Sequence, residues 1–225
     1  MTHTQVLRKL KALGNPDDAA GMARYGIRAG KVYGVRIPVL RTLAREIGVD
    51  RTLARKLFSS GVHEARILAS MIDDPARVTE AQMERWARAF DSWDVCDQCC
   101  LNLFSRTRFA YAKAVEWSTR EEEFVKRAAF ALMAILAVHD KGAPDGAFMG
   151  FLSLVRGQAT DERDYVRKAV NWALRQIGKR DLALNRVAIR TAEEIGRIDS
   201  KAARWIASDA LKELRSEGVQ RRLEA

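Results

Sequence analysis

Val125-Lys126-Arg127-Ala128-Ala129-Phe130-Ala131-Leu132-Met133-Ala134-Ile135-Leu136-Ala137-Val138 is apolar nearly all the way round a helical wheel. A helix with so little polar surface has to lie between neighbours, so this stretch predicts the buried centre of an all-α fold. Its basic opening recurs. Lys126-Arg127-Ala128-Ala129 returns as Arg167-Lys168-Ala169-Val170, as Ser200-Lys201-Ala202-Ala203, and more faintly as Glu64-Ala65-Arg66-Ile67. The second and third copies extend to Lys168-Ala169-x-x-Trp172-Ala173 and Lys201-Ala202-x-x-Trp205-Ile206. Spacings of 41 and 33 residues match helix-pair repeats of the HEAT or armadillo kind. In that reading a basic residue opens the second helix of each pair, and small residues let helices approach closely. The competing account is that alanine-rich amphipathic helices simply resemble one another.

Outward from this stretch the helical period continues. Leu7, Leu10 and Leu13 share a face, as do Val39, Leu40, Leu43, Ala44 and Ile47, then Leu53, Leu57 and Phe58, then Ile67, Leu68, Met71 and Ile72. Asn15-Pro16 and Asp74-Pro75 are cap-then-proline helix openings. Thr119-Arg120-Glu121-Glu122 and Thr160-Asp161-Glu162-Arg163 predict two more starts, with acids in the first turn. No alternating strand pattern occurs. The fold class is therefore all-α, a HEAT-like or armadillo-type α-α superhelix, in one domain over 1–225 with residues 220–225 frayed.

The 225 residues are 48% hydrophobic and 30% charged, with no run of 18 apolar residues, so no membrane span is expected. The polar Met1-Thr2-His3-Thr4 start carries no secretory signal. Three cysteines clustered within five residues cannot build a disulfide framework, which points to a reducing cytoplasm. Thirty-nine Lys and Arg against 29 Asp and Glu leave a net charge of +10, which suits a polyanion, above all nucleic acid. In a solenoid the second helices line the concave face, so basic residues at their heads converge on one groove. Arg106, Arg108, Lys126, Arg127, Arg167, Lys168, Arg175, Lys179 and Arg180 are the candidates for a phosphate backbone.

Chemistry concentrates in Asp91-Ser92-Trp93-Asp94-Val95-Cys96-Asp97-Gln98-Cys99-Cys100. A helix capped by Asp91 or Ser92 and running to about Phe104 puts Trp93 and Asp97 on one face, a turn apart. Asp94 falls in the first turn, where the helix dipole favours an acid. Asp97 lies among apolar neighbours and needs a cation or donor. Arg127 or Arg175 could supply a purely structural ion pair.

The Ser92-Trp93-Asp94-x-x-Asp97 run resembles the AlkD family of DNA alkylation-repair glycosylases, which fold as HEAT-like helical solenoids. The resemblance is shared by Arg127-Ala128-Ala129 and by Arg167-Lys168-Ala169-x-x-Trp172-Ala173-Leu174-Arg175. It extends to Tyr33-Gly34-Val35-Arg36-x-Pro38-x-Leu40-Arg41 and His63-Glu64-x-Arg66-x-Leu68-Ala69, covering roughly residues 20 to 215. It implies that Trp93, Asp97 and Trp172 match the family's active-cleft tryptophan, aspartate and second tryptophan, and Arg127 its phosphate-contacting arginine. The Cys96-x-x-Cys99-Cys100 cluster departs from the better-known members, and the family includes relatives with weak or no base excision. The implied partner is double-stranded DNA carrying alkylated bases, bound by a monomer without cofactor or metal. A purine alkylated at N3 or N7 is already cationic, so its base departs neutral without a general acid. Asp97 would stabilise the oxocarbenium-like sugar and orient water. Trp93 and Trp172 would present electron-rich faces to the cation, and Arg127 would hold the adjacent phosphate.

Other motifs carry less. Cys96, Cys99 and Cys100 lie mid-helix without a second pair and read as packing. Asp91, Asp94 and Asp97 diverge too far around a helix for a magnesium cage. His63 and His139 are isolated and read as cap or core residues, and Trp86, Trp117 and Trp205 as packing. Gly26, Gly30 and Gly34 lack a phosphate-loop ending. Two rival functions share the fold: a non-catalytic binder of damaged or branched DNA, and a protein-interaction scaffold.

Overall fold

The computed structural model describes residues 1–27 and 30–224. Fourteen α-helices account for most of them, and a single Lys31–Val62 bridge is the only β pairing among the described residues. The chain divides into two compact units, Met1–Phe109 and Ala110–Ala225.

In the first unit the caps follow the local sequence. Thr2 and Gln5 form a reciprocal capping box at α1 (His3–Ala12), and Asn15 accepts from the N–H groups of Asp17 and Asp18 at α2 (Pro16–Met22). Helix α3 (Ile37–Ile47) has Pro38 in its first turn, and Asp50 caps α4 (Arg51–Ser59). Helix α5 (His63–Ile72) is the centre: every residue except Met71 is buried, and it packs against α3, α4 and α7 (Trp93–Asn102). Asp74 and Pro75 open only a 3-10 turn, Pro75–Arg77, before Thr79 caps α6 (Glu80–Arg88). Phe58 of α4 stacks on Trp86 of α6 at 3.9 Å between ring centroids, so Trp86 is packing, as its sequence context suggested.

The second unit stacks helix pairs. Helices α8 (Ala110–Trp117), α10 (Asp145–Gly157) and α12 (Leu182–Gly196) alternate along the chain with α9 (Glu123–His139), α11 (Asp164–Ile177) and α13 (Lys201–Leu214); α14 (Glu217–Glu224) closes the unit. Helix α11 packs against both α9 and α13, while α10 packs on α12. Every residue from Val125 to Ala137 is buried, as the unbroken apolar stretch requires. Bonds reaching 38 residues along the chain repeat: Arg127 to Tyr165, Arg156 to Glu194, Asn171 to Asp209 and Arg175 to Glu213. Close packing has visible steric causes. A Cβ at Gly178 would meet the Ala188 methyl at 2.8 Å and Leu214 Cδ2 at 2.7 Å.

Several local expectations need correcting. The helices foreseen at Thr119 and Thr160 begin instead at Glu123 and Asp164, because both threonines stay in turns and Asp161 spends its carboxylate on Arg163 and Lys126. Helix α9 opens at Glu123 and α11 at Asp164, 41 residues later, matching the repeat. Helix α13 opens at Lys201, 37 residues after Asp164, so the third sequence copy lies one turn earlier in its helix than the other two. Leu13 and Val39 are exposed although they share faces with buried leucines.

Candidate active site

Helix α7 begins at Trp93, with Ser92 in the cap position. Ser92 Oγ makes no cap bond, and Asp91 accepts from Arg66 Nη1 at 2.7 Å, so neither side chain caps the helix. The helix stops at Asn102 and a 3-10 turn, Phe104–Arg106, follows, two residues short of the expected end. Val95, Cys96, Cys99 and Cys100 form its buried side. Burial pushes the Cys99 and Cys100 thiols well above the usual range, and both side chains pack inside the unit. Trp93, Asp94, Asp97 and Gln98 occupy the half-buried remainder of the surface.

Each acid of the run has a different setting. Asp94 Oδ2 meets His63 Nε2 at 2.8 Å, and the imidazole is only 1% exposed. Trp93 Nε1 donates to the Tyr25 carbonyl at 2.9 Å, which fixes the indole plane. Asp97 lies one turn beyond Trp93, on the same side of α7. Beside this helix opens a hollow of about 440 Å³ whose lining includes Asp94, His63, Ile67, Tyr25, Val35 and Arg36.

The sequence blocks of the first unit that carry the family resemblance have physical explanations. Buried Glu64 accepts from the N–H groups of Tyr33, Gly34 and Val35 at 2.8, 2.6 and 3.3 Å through one oxygen. Gly34 has φ +76, and a Cβ there would lie 2.1 Å from the Asn15 carbonyl oxygen. Arg36 binds Asp18 through two bonds of 2.7 and 2.9 Å, which lowers the carboxyl pKa below its ordinary value. Glu64 and Arg36 therefore shape the wall of the hollow. The His63–Asp94 contact escaped sequence reasoning, although both residues lie in the first turns of their helices, 31 residues apart.

In the second unit, Arg127 is buried on α9 and donates to the Tyr165 carbonyl at 2.7 Å. Lys126 is buried too, bound to Asp161 at 3.2 Å and Gln158 at 3.1 Å. Burial alone would raise Asp161, but hydrogen bonds from Arg163 and Lys126 outweigh it and hold the carboxyl at about 2. On α11, Lys168, Trp172 and Arg175 fall on one stripe, and Lys179 follows just past the end of the helix. Lys168 is exposed, and with the Gln176 amide oxygen turned toward it the half-buried Trp172 donates through Nε1 at 3.3 Å. Arg175 and Lys179 both pair with Glu213 of α13, so their charges are matched inside the unit. Arg167 pairs with Asp164 at 2.6 Å and lies over Trp205. Arg180 donates to the carbonyls of Ala137, Asp140, Lys141 and Ala143 and so closes the end of α9. Arg106 and Arg108, at the end of the first unit, are exposed, and Arg108 packs over Phe109. The sequence-predicted residues thus fall into two groups, Trp93, Asp97, Arg106 and Arg108 in the first unit and the rest in the second.

Among the described residues no group of three or more His, Cys, Asp or Glu is placed to hold a metal ion, and no helix is long and apolar enough to cross a membrane.

Comparison with known proteins is informative over nearly the full length. A family model described as DNA alkylation repair enzyme matches residues 6–214. An uncharacterized protein of Listeria innocua is 23% identical over 202 residues, covering 88% of each chain. A solved structure, described as a new family of proteins related to the HEAT-like repeat DNA glycosylases with affinity for branched DNA structures, superposes with a TM-score of 0.79. It is 20% identical and covers 95% of this chain and 96% of its own. That likeness shows the fold, a HEAT-like repeat helical architecture.

Proposed function

This chain belongs to the DNA alkylation repair enzyme family, and from that premise we propose that it hydrolyses the N-glycosidic bond of N3- or N7-alkylated purines in duplex DNA. The observation that carries the reading is local. Trp93 and Asp97 stand one turn apart on the half-buried side of α7, with the indole oriented by the Tyr25 carbonyl. Loss of a neutral base from a cationic nucleotide leaves positive charge on the sugar. A fixed carboxylate stabilises that charge and orients the attacking water, while an indole face attracts it. Water is the nucleophile, and the products are free base and an abasic site. Neither metal nor general acid is required, because the leaving group departs uncharged.

The second unit supplies the backbone contacts in this reading. Lys168 and Arg127 hold phosphate, and Trp172 offers an indole face on α11. In the first unit Arg106 and Arg108 contact phosphate. Lys126, Arg175 and Lys179 keep their carboxylate partners and set the positions of α9, α11 and α13 instead. The protein acts as a monomer in a reducing cytoplasm, a setting that its three buried free thiols support.

A second reading, DNA binding without base release, is favoured by the affinity for branched DNA ascribed to the solved relative. The two readings part in one assay. Incubation with duplex DNA containing 7-methylguanine releases free base and leaves alkali-labile abasic sites if the first is right. Tight binding with intact substrate selects the second.

A further inference from the structure

A separate surface of the first unit remains unassigned. Two adjoining hollows, of about 400 and 540 Å³, run along α4 and share Arg55 and Ser59. Their described lining contains Arg55, Lys56, Arg66 and Arg85 and no carboxylate. Arg66 is the buried floor, already bound to Asp91 and the Ala89 carbonyl and lying over the Phe58 ring at 4.8 Å. Arg55, Lys56 and Arg85 are exposed, and among the described residues their charged groups have no ion pair. This contrasts with Arg163, Arg175 and Lys179, which are each matched to an acid. Convergent cations without carboxylates create a positive potential that an anion relieves.

The pattern on α4 narrows the anion. Thr52, Arg55, Lys56 and Ser59 stand at i, i+3, i+4 and i+7, a single stripe about 10 Å long on the helix. Such a track exceeds one phosphate group and fits a chain of them, met by guanidinium, ammonium and hydroxyl groups, the usual backbone partners. None of its lining residues belongs to the hollow beside Trp93 and His63. We propose that the α4–α6 groove is a phosphodiester-backbone site for a DNA duplex segment other than the one presented to α7. This rests on the reading that the protein binds DNA, but not on base release.

The test compares a linear duplex with a four-way junction by fluorescence anisotropy over a salt series. The wild type is set against the combined variant Arg55→Gln, Lys56→Gln and Arg85→Gln. The variant should bind the junction roughly tenfold more weakly, with a log–log salt slope flatter by about 2.7, and bind the linear duplex within about twofold of wild type. Unchanged junction binding, or equal loss on both DNAs, overturns the assignment while leaving DNA binding intact. A wild-type protein that binds neither DNA but binds phosphatidylserine vesicles overturns both. Circular dichroism of the variant confirms that these exposed substitutions leave the helices in place.

Discussion

His63 Nε2 and Asp94 Oδ2 lie 2.8 Å apart and tie the first turn of α5 to the first turn of α7, the helix that carries Trp93 and Asp97. The imidazole is sealed from solvent, so breaking the pair strands a buried polar group. Replacing His63 and Asp94 singly and together with Ala should give a coupling energy of about 1–3 kcal/mol in urea unfolding. Coupling near zero would mean that the contact does not fix α7.

Gly34 should be intolerant of a side chain. Its positive φ and the 2.1 Å approach of an added Cβ to the Asn15 carbonyl leave no room. Gly34→Ala should destabilise the first unit by more than about 1 kcal/mol, seen as a lower urea midpoint. A variant as stable as wild type would show that the Tyr33-Gly34-Val35 segment is not held against α2 as described.

Acid should weaken the second unit through Asp161 and Glu213. Asp161 is held at about 2, and the Lys179 and Arg175 bonds lower Glu213 against the opposing effect of burial. Both groups have depressed pKa values in the fold, so their stabilisation is complete above the ordinary carboxylate range and is lost as pH falls through the folded values. Asp73 has the opposite sign, because burial raises it and protonation on acidification relieves part of that cost. The unfolding midpoint of the wild type should therefore fall between about pH 4 and pH 2, and Asp161→Asn should flatten that dependence. An Asp161→Asn variant that keeps the wild-type dependence would contradict the role of the Lys126–Asp161–Arg163 cluster.

Lys168 is the exposed cation one turn from Trp172 on α11. If it contacts phosphate, Lys168→Gln should lower the log–log salt slope of DNA binding by about 1 and weaken binding evenly across sequences. An unchanged slope would remove Lys168 from the DNA contacts.

The residues themselves explain how much was readable. Val125–Ala137 announced its burial because the stretch has hardly any polar face, and Asn15 announced a helix start through its side-chain oxygen. Thr119 and Thr160 misled because a cap signal does not reveal competing bonds, and Asp161 had Arg163 and Lys126 to satisfy. The Trp93–Asp97 spacing was visible within one helix. The partners of Arg175 and Lys179 were not, since Glu213 lies 38 and 34 residues away and only stacking of α11 on α13 brings it close. His63 and Asp94 are likewise far apart in sequence, and only the packing of α5 against α7 makes them neighbours.

The central claim is that Asp97 promotes loss of an alkylated base. It is tested most directly by single-turnover release of 7-methylguanine from duplex DNA by the wild type and Asp97→Asn, with DNA affinity measured in parallel. The account predicts release by the wild type, a rate at least roughly a hundredfold lower in the variant, and affinity equal or higher. Full activity in the variant, or no release by a wild type that binds the DNA, would contradict it.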